Sequence, residues 1–516
     1  MTENMIDPVN TGFVLDMQRK LYRWSQSNAQ QKFSDLFNWV CDRRNLEDAW
    51  QKLAGNSGSK TPGVDGMNRR KVEERPDGVA GFLEEIREQL RTGNFRPDPV
   101  REKLIPKPGK PGQFRPLGIP TLSDRLVQMA LKNVLEPIFE ADFYPNSYGF
   151  RPGRSPLDAL AMVQRQLMPN RSGPSKFTYV IEGDIKGCFD NIDHHVLMER
   201  VRRRVGDRKV LRLLLAFLKA GVMSDGRLRQ TETGTPQGGI ISPLLANVLL
   251  TGLDERYRRW NPAPREESYC APMRRIHDHK KGRPSFIMVR YADDFVILVS
   301  GDREKAETEK RQLAEFLRKE LRLELSPEKT LVTPVTEGFV FLGYRVLVDK
   351  ARLSGKPVGI IRIPWAKLQQ VRDRIKEITG PSTVGLSLEE LLRVKLNPLV
   401  IGWRNYFRYA TSAGEDFRRL DFWLINRVRR WLRKKHGQKL GSHAIRRKFQ
   451  RRVRNGWRWA EGRRTLQHFG DAGTANYWLR GSTIKNRWQV DGKPDRPYSA
   501  VEKVNTSVEL WSDLLW

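Results

Sequence analysis

Apolar residues recur at helical spacing early in the chain: Phe33, Leu36 and Val40, then Leu46, Trp50 and Leu53, three or four residues apart as a buried helix face requires. The pattern predicts a mainly helical segment over residues 1–60, ending in the turn-rich stretch GNSGSKTPGVDG at 55–66. From 67 to 345, helical stretches such as 82–92 and 123–139 mix with β-prone runs, among them FTYVIEGD at 177–184 and FIMVRYADDFVILVS at 286–300. That mixture predicts an α+β domain. Beyond about 365 the period turns helical, as in KLQQVRDRIKEI and DFWLINRVRRWLRKKH, with no strong strand alternation before the end. The longest apolar runs, such as LLLAF at 213–217, are far shorter than a membrane span, so no membrane partner is expected.

Charge narrows the picture. The 516 residues carry 93 Lys and Arg against 60 Asp and Glu, a formal net charge of +33 that attracts polyanions, nucleic acid first among them. It is unevenly spread: sixteen Lys or Arg and one acid, Asp421, lie between Arg418 and Arg458, and ten of the fourteen tryptophans lie past residue 360. A solvated helix face over a tryptophan core explains any one of these residues, but so dense a cluster repels itself unless a polyanion neutralises it. The amino-terminal MTENMIDPVN has no apolar core and reads as neither a secretory signal nor a transit peptide, which predicts a cytoplasmic protein of cytosol or nucleoid. Cys41, Cys188 and Cys270 are scattered and form no CxxC pair, as expected of reduced thiols and against a cysteine-ligated zinc site.

The sharpest local signal is Tyr291-Ala292-Asp293-Asp294 between FIMV and FVILV. Two β-prone runs around a short polar turn predict a hairpin with both carboxylates at its tip. Adjacent carboxylates repel by roughly 1–4 kcal/mol at about 4 Å, a conflict that bound cations remove. Asp-Asp also occurs in plain solvated turns, but a second acid in similar surroundings shifts the balance: Asp184 closes the strand FTYVIEGD. Asp190 and Asp193 compete with it, yet a helix start beside them offers both a capping task. Three hard oxygen ligands suit magnesium, and two Mg2+ ions about 4 Å apart can activate a primer 3′-hydroxyl and stabilise departing pyrophosphate. The expected reaction is nucleotidyl transfer.

The Tyr-Ala-Asp-Asp box resembles the catalytic box of reverse transcriptases, and the blocks around it resemble, in order, those of group II intron-encoded proteins: TPGVDG at 61–66, LIPKPGKPGQFRPLGIPTLSDRLVQ at 104–128, NSYGFRPGRSPLDAL at 146–160, DIKGCFDNIDH at 184–194, GTPQGGIISPLLANVLL at 234–250, LSPEKT at 325–330 and FVFLGY at 339–344. The resemblance spans roughly residues 45–440 and implies a right-hand polymerase of fingers, palm and thumb followed by a basic helical maturase region. The expected division is an amino-terminal helical extension (1–60), fingers and palm (61–345), thumb and maturase region (346–440) and a basic nucleic-acid-binding appendage (441–516).

Carried over position by position, the resemblance makes Asp184, Asp293 and Asp294 the catalytic metal ligands. It assigns nucleotide binding to Lys107 and Arg115, whose point charge and planar fork suit triphosphate oxygens although both also fit as solvated loop cations. Phe189 aligns with a bulky residue beside the sugar, Gln237 with a residue lining the nucleotide pocket, and Lys329 with a position near the leaving pyrophosphate; a core aromatic, a turn residue and a surface lysine are the plainer alternatives. In NPLVIGWRNYFRYA at 397–410 the aromatics follow core spacing, leaving Arg404 and Arg408 to meet RNA, together with Arg429, Arg430, Arg433 and Lys434 further on.

Many such proteins end in an endonuclease domain with His and paired Cys ligands; with no cysteine after Cys270, none is expected here. The implied partners are group II intron RNA, a DNA target and primer, and dNTPs, with a homodimer left open. Two other readings compete, a splicing chaperone whose polymerase goes unused and a domesticated reverse transcriptase serving repair or defence.

Overall fold

A computed structural model describes residues 9–489 apart from 107–111, 171–172, 225–226, 230–233, 235–237, 268, 352–354, 438–439, 454–455, 476, 478–483 and 485. Lys107 and Gln237 lie outside the described residues. The described chain forms two compact units, one holding residues 9–162, 177–333 and 484–489, the other residues 163–176 and 334–477.

At the centre of the first unit stands the helix Leu122–Glu140, buried on nearly every side although it carries Asp124, Arg125, Gln128, Asn133, Glu136 and Glu140 among its apolar residues, with the Thr121 hydroxyl capping it at the Asp124 amide. The amino-terminal helices Val9–Ser27 and Arg43–Ala54 pack on it through more than apolar contact. Asn133 donates to the Asn45 side-chain oxygen and to the Asp48 carboxylate, 2.8 Å each, while the Gln18 amide donates to the Asn133 carbonyl at 2.9 Å. Every member of this buried polar set has a partner, so it fixes register without leaving desolvated atoms unpaired.

Among its described residues this unit has the strands β1 (Val100–Pro106), β2 (Phe114–Ile119), β3 (Tyr179–Gly183), β4 (Val222–Ser224), β5 (Arg227–Arg229), β6 (Ser285–Tyr291), β7 (Asp294–Ser300) and β8 (Leu331–Pro334). One sheet has the order β2-β1-β4-β5, the other β6-β7-β3-β8. In the second sheet β6 is buried at every residue but its last and β7 at every residue but its first, so both faces are covered and only the connecting turn reaches solvent. The predicted strands at 177–184 and 286–300 and the hairpin between the latter two are present.

The second unit has the antiparallel sheet β9 (Phe339–Phe341), β10 (Tyr344–Lys350), β11 (Pro357–Arg362) and the helices Trp365–Ile378, Asn397–Phe407 and Ala413–His436. The expectation of helix alone beyond 365 is corrected by a further sheet, β12 (Gln450–Val453), β13 (Gly456–Glu461) and β14 (Arg464–Thr465). These strands are short and Arg451 and Arg452 stand exposed, which erases the two-residue apolar alternation that marks a strand in sequence. Beyond the sheet, Phe469 is fully buried against Trp403 at 5.3 Å between ring centroids.

The tail residues 486–489 dock on the first unit. Trp488 is buried against Tyr22 and Ala141, its indole N–H donates to Gln18 Oε1 at 3.1 Å, and Arg487 pairs with Glu136 at 3.3 Å. The Trp488→Ala variant should lose about 3 kcal/mol or more of local docking energy, and amide exchange at 486–489 and around Gln18 should accelerate in step; unchanged exchange would mean that the indole does not hold the tail.

Candidate functional site

Strand register brings the acids together. Tyr291 and Asp294 face each other across the β6–β7 turn, so Ala292 and Asp293 form a two-residue hairpin loop. β3 runs antiparallel to β7 with Gly183 opposite Phe295, and one step further along β3 brings Asp184 level with Asp294. Gly183 is required there, since a Cβ would fall 2.1 Å from the Phe295 ring. Three predicted acids thus meet at one end of a sheet whose strands β6 and β7 are otherwise buried.

Their surroundings disfavour charge. Asp294 is pushed up to about 7, first by burial and then by repulsion from Asp293 and Asp184, with Lys329 opposing. Asp293 is raised chiefly by burial, with Asp184 adding to the rise and Arg115 and Arg290 opposing it. Asp184 has its own counter-charge, Lys329 Nζ at 2.9 Å from Oδ2. Among the described residues no three His, Cys, Asp or Glu side chains are grouped so as to hold a metal ion as they stand. The donor set nonetheless fits a hard divalent cation: three carboxylates share one sheet end, two of them held above the ordinary range, and a cation would relieve the repulsion that raises them.

The other predicted residues fall as follows. Arg115 stands exposed in β2, near enough to act on Asp293. Phe189 lies half-buried in the short turn Cys188–Asn191, where its ring meets Phe150 edge-on at 6.4 Å. Gly238, beside Gln237, packs so close to β2 that a Cβ would lie 2.2 Å from the Gly118 carbonyl oxygen. Asp193 caps the helix His194–Arg202 through the Val196 amide at 2.9 Å and pairs with Arg322, the structural task expected of it.

Arg404 and Arg408 are differently engaged. Arg404 donates to the His468 carbonyl at 2.7 Å and Arg408 to the Ala472 carbonyl at 2.7 Å, so both tie the helix Asn397–Phe407 and its end to the loop beyond the small sheet. Their guanidiniums were expected to face RNA; they serve the fold because carbonyls of the 468–472 turn lie within reach. Arg429, Arg430, Arg433 and Lys434, on the helix Ala413–His436, form no ion pair among the described residues, and Arg430, Arg433 and Lys434 are exposed.

Three features escaped the sequence reading. Phe150, φ 56° and about half exposed, is a bulky side chain in a conformation such residues rarely adopt. Arg290 is fully buried behind the acidic turn, and Asn247 bonds to it at 2.9 Å. The charge at Arg290 inside the apolar run FIMVRY was a legible signal; nothing local marks Phe150 or Asn247.

Residues 105–346 match the family model of reverse transcriptase (RNA-dependent DNA polymerase), and residues 368–468 match that of the group II intron maturase-specific domain. The chain is 36% identical over 367 residues to protein YkfC of Escherichia coli, covering 69% of this chain and 93% of that protein. It is 34% identical over 375 residues to group II intron-encoded protein LtrA of Lactococcus lactis, covering 64% of this chain and 60% of LtrA. The chain belongs to the group II intron-encoded reverse transcriptases and maturases. A 91 kDa protein in the cob intron of Schizosaccharomyces pombe is similar too, 28% identical with 73% of this chain and 52% of that protein covered. This reverse transcriptase therefore spans about three fifths of LtrA and about half of the 91 kDa protein. Its reverse transcriptase match takes in every acid of the candidate site, and reverse transcriptase domains in general use a divalent metal. No helix among the described residues is long and apolar enough to cross a membrane.

The turn yields a stability test. Ala292 sits at φ 58°, where a Cβ costs about 1–2 kcal/mol. Ala292→Gly should therefore be neutral or stabilising by up to about 1 kcal/mol in denaturant unfolding, against the usual loss of about 0.5–1 kcal/mol for Ala→Gly at ordinary dihedrals. A loss of the usual size would contradict the left-handed turn.

Proposed function

We propose that this chain copies intron RNA into DNA and also binds and assists the splicing of its group II intron, supporting the intron's mobility. The observation that carries the first part is the meeting of Asp184, Asp293 and Asp294 at one sheet end within the reverse transcriptase match. The three carboxylates would hold two magnesium ions, which when bound supply activation of the primer 3′-hydroxyl and neutralisation of charge on the departing pyrophosphate.

The side chains around them have separate tasks. Arg115 is placed to receive the triphosphate of an incoming dNTP, its fork matching two phosphate oxygens, with Lys107 and Gln237 as the family's further contacts. Lys329 neutralises Asp184, and with that carboxylate holding a cation its ammonium would be free to meet the leaving pyrophosphate. Phe189, at the position of the family's bulky residue beside the sugar, would exclude a 2′-hydroxyl by its size and so favour dNTPs over NTPs. Pairing with the RNA template supplies base choice, so the protein needs only backbone contacts to its nucleic acids.

Support for RNA binding lies in two groups of cations. Arg429, Arg430, Arg433 and Lys434 share one helix within the maturase-specific match. Elsewhere, Arg43 and Arg44 of the helix Arg43–Ala54, Arg87 and Arg91 of the helix Gly78–Thr92 and Lys209 of the helix Arg208–Lys219 line a hollow of about 710 Å³ with Asp42 as its one acid among the described residues, although Arg43, Arg44 and Arg87 also pair with Glu47, Asp42 and Glu84. Both surfaces suit phosphodiester backbone.

Primer extension on an RNA template with dNTPs and magnesium tests the chemistry. The Asp293→Ala, Asp294→Ala double variant should lose synthesis by roughly a thousandfold or more while RNA affinity stays within about twofold; synthesis near the wild-type rate would place the chemistry elsewhere. Replacing Arg429, Arg430, Arg433 and Lys434 together with Ala should lower the slope of log affinity for intron RNA against log salt by about 3. An unchanged slope would remove that helix from the RNA surface.

A further inference from the structure

Behind the acidic turn the chain builds a support that neither family match assigns, and its meaning rests on the polymerase reading above. The segment Asn146–Gly149 runs alongside the end of β6: the Arg290 amide donates to the Asn146 carbonyl at 3.0 Å, and the Tyr148 amide donates to the Arg290 carbonyl at 2.8 Å. This brings Gly149 against the turn, where a Cβ would stand 2.3 Å from the Ala292 nitrogen and 2.8 Å from the Tyr291 carbonyl carbon. Gly149 does not have a positive φ, so the closeness of the turn, and not its own backbone conformation, demands glycine.

The other side of the turn is held by Arg290, which has no exposed surface. Its Nε and one terminal nitrogen grip Asp254 at 3.2 and 2.6 Å as a fork. The remaining terminal nitrogen has two hydrogens, one donated to the Ala292 carbonyl at 2.9 Å and one to the Asn247 side-chain oxygen at 2.9 Å. Asn247, on the helix Ser242–Arg256, closes the ring by donating its amide to the Gly149 carbonyl at 2.8 Å. Ala292 is thus pressed at its nitrogen by Gly149 and held at its carbonyl by Arg290, in a left-handed conformation that an alanine does not favour.

We infer that Arg290, Asn247 and Gly149 are positioning residues of the polymerase: together they fix the peptide planes on either side of Ala292 and so the direction in which Asp293 and Asp294 leave the turn. The fork to Asp254 uses only two of the five guanidinium N–H donors, and two others are met by the Ala292 carbonyl and by Asn247, so the buried charge is tied to the turn as well as to its counter-ion. Arg290 cannot be replaced by lysine in this scheme, because a single ammonium cannot grip a carboxylate as a fork and still reach two further oxygens on different elements.

The test is single-turnover primer extension with enzyme in excess, which separates the rate of nucleotide addition from the fraction of active molecules. Gly149→Ala adds a methyl group against the turn, Asn247→Ala removes the link without adding bulk, and Arg290→Lys keeps the buried charge. Each should lower the rate constant between about tenfold and about a hundredfold, the scale of a misplacement near 1 Å, with amplitude and primer–template affinity near those of the wild type. Each should also raise the magnesium concentration needed for half-maximal rate. Wild-type rates with reduced amplitude would show a packing role only and overturn the inference. Hydrogen exchange of the 290–294 amides in Asn247→Ala reads the turn independently of chemistry: acceleration supports the clamp, and unchanged exchange overturns it even if the wild type extends primers. A wild type that extends nothing would count against the polymerase reading alone.

Discussion

Carboxylates that must share a small, poorly solvated space repel one another, and the first unit of this protein is organised around that repulsion. Desolvation and the nearness of Asp184 and Asp293 hold Asp294 far above the ordinary aspartate range. A flexible loop would relieve such strain by letting the side chains part. Here it cannot, because the acids sit on paired strands whose register is fixed from Tyr179 to Gly183 and from Ser285 to Ser300. Six of the seven residues of β6 and of β7 are buried, so slipping the register by one residue would send each packed side chain to the opposite face and undo the packing on both. The cost of gathering negative charge is thus met by the burial of β6 and β7.

Two kinds of positive charge answer the acids. Lys329 and Arg115 are exposed and exchangeable, placed where substrate phosphates and cations would compete for them. Arg290 is buried and committed, bound to Asp254, and losing one member of such a pair costs about 3–5 kcal/mol because the other is stranded. The same contrast recurs in the maturase unit. There Arg404 and Arg408 are spent on backbone carbonyls, while Arg430, Arg433 and Lys434 stay in solvent, available to a polyanion. Net charge alone does not distinguish these uses; the distance to an internal acceptor does.

That distinction explains what the sequence could and could not tell. The hairpin at 286–300 and the strand before Asp184 were legible because apolar runs bounded by polar turns have a local cause, and the capping role of Asp193 was legible for the same reason. Phe150, Gly149 and Asn247 were not, since their importance arises from elements far apart in the chain meeting at one turn: Gly149 lies 98 residues from Asn247. The small sheet β12–β14 was hidden by exposed arginines, and the docking of Trp488 on Tyr22 by a sequence separation that no window spans. Residues expected from family resemblance at 107 and 237 fall outside the described chain, so their part in nucleotide binding rests on the resemblance.

The central claim is that the three acids together hold the divalent cation on which DNA synthesis depends. Replacing magnesium with ferrous iron and supplying a reductant and peroxide generates hydroxyl radicals at the metal, which cut the polypeptide beside it. The account predicts cuts near Asp184 and near Asp293 and Asp294, suppressed by excess magnesium and absent from the Asp293→Ala, Asp294→Ala variant. Cuts confined to other parts of the chain, or the same pattern in that variant, would contradict it.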